Sequence, residues 1–248
     1  MPKVKVNDIE MYYEIHGEGE PIVFLHGFSA SHQMWNPWIP RYEKGFKMIL
    51  IDMRGHGGST NPTGEFTHRQ SSQDIFALLD KLGVYRFKGV GYSSGGMTLL
   101  HVATQQPERV QSMVLLSATH YFPDECRDIQ SKVLDEEFDE RWMMRANFHE
   151  GGAEQIDQLR HQFYNFKDSY DDMNFTSPYL STIKAKTLIV HGDRDPYFPV
   201  KIPVEIYTSI RDSYLWIMPN IGHEVAYPAS EQLIETTFDF LKIKWEST

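Results

Sequence analysis

Short apolar runs alternate with amphipathic stretches along most of this chain, and that alternation constrains the fold more than any other feature. The runs at 21–25, 47–51, 87–90, 110–116, 187–190 and 214–218 are continuous rather than alternating. That is the pattern of strands in a sheet buried on both faces. Between them, 68–82 places Ile75, Leu78, Leu79 and Leu82 on one side and stops at Gly83. The segment 97–106 ends before Pro107, and 200–210 and 229–243 complete the set of predicted helices. Two further strands, 3–6 and 9–15, open the chain, with Gly17 and Gly19 as the turn that follows. Strands regularly separated by helices imply a mostly parallel sheet flanked by helices. The 248 residues suit one such α/β domain.

The rhythm breaks at 120–180. This stretch has no clear strand but holds helix-like pieces at 135–147 and 153–166. It carries 14 acidic and 6 basic residues, so −8 of the chain's formal −10 lies here, together with eleven aromatic side chains. We read it as a helical insertion over one end of the sheet, charged outside and with aromatics facing inward, either as its own core or as a pocket lining. The expected division is a core of 1–119 and 181–248 with a cap of 120–180. A net charge of −10 excludes nucleic acid as the main partner, because phosphate binding needs a basic face. The single Cys126 cannot form an internal disulfide and suits a reducing, cytoplasmic setting. No signal peptide is evident, and no apolar run approaches the ~20 residues of a membrane span.

Chemistry is concentrated at Gly91-Tyr92-Ser93-Ser94-Gly95, between a strand and a helix. A nucleophile on so tight a turn needs small neighbours two residues away, hence Gly91 and Gly95, and the turn aims helix N-terminal amides at developing negative charge. Only Ser93 has glycine at both −2 and +2, which makes it the candidate nucleophile and Ser94 the donor of one oxyanion amide. The same stretch fails as a dinucleotide-binding loop, since Ser94 stands where glycine is required and no acid follows about 20 residues on. A serine hydroxyl needs a base held by a third group. Asp193 and Asp195 follow the strand at 187–190, and His223 follows the strand at 214–218. His191, Asp193 and Asp195 also mimic a metal cluster, but no second ligand motif accompanies them, so neither metal nor cofactor is expected.

Taken together, these residues resemble the α/β-hydrolase family over nearly the whole chain, with an eight-stranded, mostly parallel sheet and a helical cap inserted after the sixth strand. Phe24-Leu25-His26-Gly27-Phe28 is similar to the family's oxyanion loop, and Asp52-Met53-Arg54-Gly55-His56-Gly57-Gly58-Ser59 to its D-x-R-G-x-G-x-S loop. The resemblance implies that Phe28 supplies the second oxyanion amide. It also implies Asp195 as the triad acid, through the pattern of Gly192, Asp195 and Pro199, with Asp193 as the runner-up. His26, His56 and His191 are read as loop-shaping residues. With serine rather than aspartate at the elbow, the resemblance argues against epoxide opening and dehalogenation.

The expected reaction is ester hydrolysis through an acyl-enzyme, on small to medium, uncharged, partly apolar substrates. The alternatives are an enol-lactone or C–C bond hydrolase of aromatic degradation, and a ligand sensor on the same scaffold. The expected partner is a small-molecule ester or lactone, and the expected assembly a monomer or homodimer. The charge of 120–180 predicts poor anionic substrates, unless a residue such as Arg145 reverses the local sign.

Overall fold

The computed structural model describes residues 3–243, apart from positions 136, 139 and 228. Eight strands form one sheet in the order β1-β2-β4-β3-β5-β6-β7-β8. They are β1 (Lys3–Val6), β2 (Ile9–His16), β3 (Glu20–Leu25), β4 (Phe46–Ile51), β5 (Phe87–Tyr92), β6 (Val110–Leu116), β7 (Lys186–Gly192) and β8 (Ser213–Met218). The first two pairings, β1 with β2 and β2 with β4, are antiparallel. From β4 through β3 to β8 every pairing is parallel.

The apolar runs are continuous because alternate residues feed different cores. Val23, Leu25, Ile49, Ile51, Met113 and Leu115 face one layer. Ile22, Phe24, Met48, Leu50, Val114 and Leu116 face the other. Helices α2 (His68–Lys81), α3 (Ser94–Gln105) and α8 (Lys201–Ser209) close the first layer through Ile75, Leu99 and Ile206. The second is closed by a 3-10 stretch at His32–Trp38, α1 (Ile39–Tyr42) and α9 (Glu231–Lys242), which contribute Trp35, Trp38, Tyr42 and Phe238. Burying each such side chain contributes roughly 1.5–3 kcal/mol.

Between β6 and β7 lie α4 (Asp124–Lys132), α5 (Glu140–Ala146), α6 (Gly152–Asn165) and α7 (Ser177–Leu180). Two of the sequence expectations change here. The helix expected over 135–147 is the shorter α5, and α4 precedes it, with Asp124 and Glu125 in its first turn complementing the helix dipole. The aromatics divide: Phe122, Trp142, Phe166 and Phe175 are buried, whereas Phe148, Tyr170 and Tyr179 are exposed. Tyr170 carries the Arg127 guanidinium 3.9 Å above its ring. Val133, Trp142, Ala146, Ile156 and Leu159 form a small core belonging to the insertion itself. No helix among the described residues is long and apolar enough to cross a membrane.

Candidate active site

Parallel strands deliver their C-terminal ends to one edge of the sheet, and register brings the site together there. Leu25 is level with Gly91, Leu116 with Val190, and Gly192 with Met218. At the end of β5 the chain reverses into α3 through Ser93, whose φ of 49° lies in the left-handed region. A non-glycine residue is held there only by surrounding structure. The Ser93 N–H donates to the Leu116 carbonyl (2.8 Å), and its own carbonyl accepts from Met97 (3.0 Å). The flanking glycines are required by contact: a Cβ on Gly91 would sit 2.6 Å from the Gly95 carbonyl carbon, and one on Gly95 would overlap the Leu25 carbonyl.

Ser93, Asp195 and His223 are brought together. His223 Nε2 lies 2.9 Å from Ser93 Oγ, and His223 Nδ1 lies 2.7 Å from Asp195 Oδ2. The second oxygen of Asp195 accepts backbone N–H bonds from Tyr197 (2.8 Å) and Phe198 (3.1 Å). A carboxylate so saturated with donors is orientationally fixed. Asp193 is elsewhere: its Oδ1 accepts the Asn220 N–H at 2.5 Å, tying the β7 and β8 loops together. His191 Nε2 bonds the Phe198 carbonyl at 2.8 Å and lies 3.5 Å from Asp195 Oδ2. Tyr92, Tyr197 and Phe198 pack around the His223 ring, with centroids 5.5, 4.7 and 5.3 Å away.

Phe28 lies in the loop after β3, and its ring packs against Phe66, Phe163, Phe166 and His56. Behind it, His26 Nδ1 bonds the Gly27 carbonyl (2.7 Å) and its Nε2 accepts the Met53 N–H (3.0 Å), so it holds the loop after β3 to the loop after β4. Burial pushes the His26 ring down to about 4 and His56 well below the usual imidazole range. Both are therefore neutral loop supports at pH 7. Asp52 accepts N–H bonds from His32 and Gly58, and Arg54 pairs with buried Asp74 (2.9 Å) and with Asp8 (2.6 Å).

Two contacts were not legible in the sequence. The Arg145 guanidinium donates to Ser29 Oγ at 2.8 Å, one residue beyond Phe28, and lies 5.0 Å from the Trp142 ring. Its positive charge opposes the upward shift of the Tyr92 and Tyr227 hydroxyls, which burial drives. His68 and Asp172 lie behind the elbow, with His68 bonded to Ser94 and Asp172 to His68.

An eight-stranded, mostly parallel sheet with a serine elbow and a His–Asp pair at its C-terminal edge is the architecture of a hydrolase. The family model described as alpha/beta hydrolase fold matches residues 20–142. The human serine hydrolase BPHL is 27% identical, over 97% of this chain and 86% of that one. The 2-hydroxy-6-oxo-6-phenylhexa-2,4-dienoate hydrolase of Comamonas testosteroni is 27% identical, over 96% and 93%. The enol-lactonase structure from Burkholderia xenovorans LB400 superposes with a TM-score of 0.76 at 23% identity, covering 97% and 99% of the two chains. The chain belongs to the α/β-hydrolase family.

Proposed function

We propose that this protein hydrolyses carboxylic esters of small to medium, partly apolar substrates through an acyl-enzyme on Ser93. The observation that carries the reading is the unbroken hydrogen-bond path from Asp195 through His223 to Ser93, at a backbone held in a strained turn. An ionised Asp195 can only accept, so His223 carries its proton on Nδ1 and presents Nε2 as the base. His223 takes the Ser93 proton as the oxygen attacks the carbonyl, and returns it to the leaving alcohol. The Phe28 and Ser94 amides receive the oxyanion, each worth about 3 kcal/mol of transition-state stabilisation. Water then cleaves the acyl-enzyme by the same route. The test is a panel of p-nitrophenyl esters of graded chain length, with lactones beside them, on wild type and Ser93→Ala. Turnover should disappear in the variant; turnover that survives overturns Ser93 as nucleophile.

Arg145 favours a second reading, in which the substrate carries a carboxylate, as a lactone or C–C hydrolase substrate would. The net charge of residues 120–180 is negative, but Arg145 stands beside the oxyanion loop, and no carboxylate among the described residues pairs with it. The Comamonas relative is by its name a dienoate hydrolase. A charge this close outweighs dispersed surface acids that solvent screens. Comparing kcat/KM for a neutral ester and its carboxylate analogue, at low and high salt, separates the readings. Preference for the anion that grows as salt falls and vanishes in Arg145→Ala supports the second. Preference for the neutral ester at all salt concentrations supports the first.

A further inference from the structure

A second hydrogen-bonded Ser–His–Asp chain runs beside the first. The Ser94 hydroxyl lies 2.7 Å from His68 Nε2, and His68 Nδ1 lies 2.6 Å from Asp172 Oδ2. All three residues are buried, His68 completely. The Asp172 carboxylate also accepts the backbone N–H groups of His68 (2.8 Å) and Arg69 (3.0 Å), which open α2 and have no partner within the helix. Burial pushes the Asp172 carboxyl up, but the His68 ring and these two amides pull it well below the usual carboxylate range. The carboxylate can only accept, so it receives a hydrogen bond from His68 Nδ1–H, and the ring's other nitrogen joins the Ser94 hydroxyl. His101 Nε2 bonds the Asp172 carbonyl at 2.8 Å and so fixes the backbone from which the carboxylate projects.

Burial rules this chain out as a second nucleophile, yet it grips the residue whose backbone matters. Ser94 is the first residue of α3, directly after the strained Ser93. Its N–H direction follows from the placement of its Cα, and its hydroxyl is the one polar side-chain handle on that position. A donor displaced by a fraction of an ångström loses much of its value to a developing oxyanion.

We propose that Asp172, His68 and Ser94 form a positioning relay that aims the Ser94 amide into the oxyanion site and ties the elbow to the segment between β6 and β7. The proposal rests on the acyl-transfer reading above. His68 and Asp172 touch no reacting atom and act only through Ser94.

The test uses Ser94→Ala, His68→Gln, Asp172→Asn and the Ser94→Ala/His68→Gln double variant. Each is measured for p-nitrophenyl acetate turnover, rate of Ser93 labelling by a fluorophosphonate, affinity for a boronic acid that mimics the tetrahedral state, and melting temperature. Each single variant should lose roughly tenfold in kcat, labelling rate and boronate affinity, because a donor is misaligned rather than removed. KM should stay within about twofold, since ground-state binding does not use the amide. The double variant should be no worse than the poorer single one. Ser94→Ala, which deletes one oxygen and keeps the amide, decides the matter if His68→Gln does not fold. Wild-type kcat and labelling in Ser94→Ala overturn the relay alone. So does a loss that appears in KM or tracks melting temperature rather than kcat. A wild type that neither labels nor turns over ester overturns the acyl-transfer reading, and the relay with it.

Discussion

Replacing Asp195 by asparagine changes one oxygen to an NH2 group, and the hydrogen bonds around it dictate which way the amide faces. Asp195 Oδ1 already accepts two N–H groups, from Tyr197 and Phe198. An NH2 placed there would leave two backbone donors facing a third, at about 1–3 kcal/mol for each unmade bond. The asparagine oxygen therefore stays on that side, and the NH2 points at His223 Nδ1, where the carboxylate stood 2.7 Å away. His223 must then accept at Nδ1 and carry its proton on Nε2, aimed at the Ser93 hydroxyl 2.9 Å off. The base has become a donor, and kcat should fall on the order of 10⁴-fold, as for the same change in a serine protease. Asp193 gives the contrast. Its acceptor role toward Asn220 is preserved by an asparagine oxygen, so Asp193→Asn should stay within about threefold of wild type. Steady-state hydrolysis of p-nitrophenyl acetate, with melting temperatures to exclude unfolding, reads both variants. An Asp195→Asn enzyme keeping more than about a tenth of kcat, or losing less than Asp193→Asn, would refute the tautomer argument.

Acid should destabilise the fold early. Burial depresses His26 and His101 to about 4 and holds His56 well below the usual imidazole range, under the 6.5 of an unfolded chain. Groups depressed on folding contribute stability that is complete above pH 6.5 and is lost as pH falls towards their folded values. His32 runs the other way: burial lowers it, but Asp52 and Glu14 raise it further, so its contribution fades as pH rises through its folded value. The three depressed rings outnumber it, so the melting temperature should drop between pH 6.5 and 4; a flat profile contradicts this. Separately, Asp74→Ala should cost about 3–5 kcal/mol in urea unfolding, because it strips the buried Arg54 guanidinium of its buried partner. A loss below about 1 kcal/mol would show that Asp8 alone satisfies Arg54.

How much of this could be read beforehand depended on whether the signal was local. The strands were legible to within a residue or two because each is a run of side chains buried on alternate faces. The elbow was legible because close packing demands glycine at Gly91 and Gly95. That Ser93, an acid after β7 and His223 after β8 would meet was legible because a parallel sheet collects such places along one edge, whereas the choice of Asp195 over Asp193 came from the family resemblance. The stretch at His32–Trp38 and α1 escaped notice, although Trp35, Trp38 and Tyr42 are fully buried. Pro37 and Pro40 interrupt it, and its apolar residues follow no helical period. Helix α4 buries only Cys126 and Gln130, too few to show a period of 3.6. The Ser94–His68–Asp172 chain was invisible for another reason: His68 and Asp172 are 104 positions apart, with no motif around either. Arg145 likewise reaches across 116 positions to Ser29.

The hydrogen bond between His223 and Ser93 closes a stretch of 130 residues, and three of the eight strands lie inside it. During synthesis the elbow emerges from the ribosome long before its base, so on the proposed mechanism Ser93 spends that interval chemically inert. The same holds for any partly unfolded form that releases β8 while the rest of the sheet persists. Hydrolysis by this chain is thus a property of the completed sheet, and a reactive serine reports that the last strand has docked.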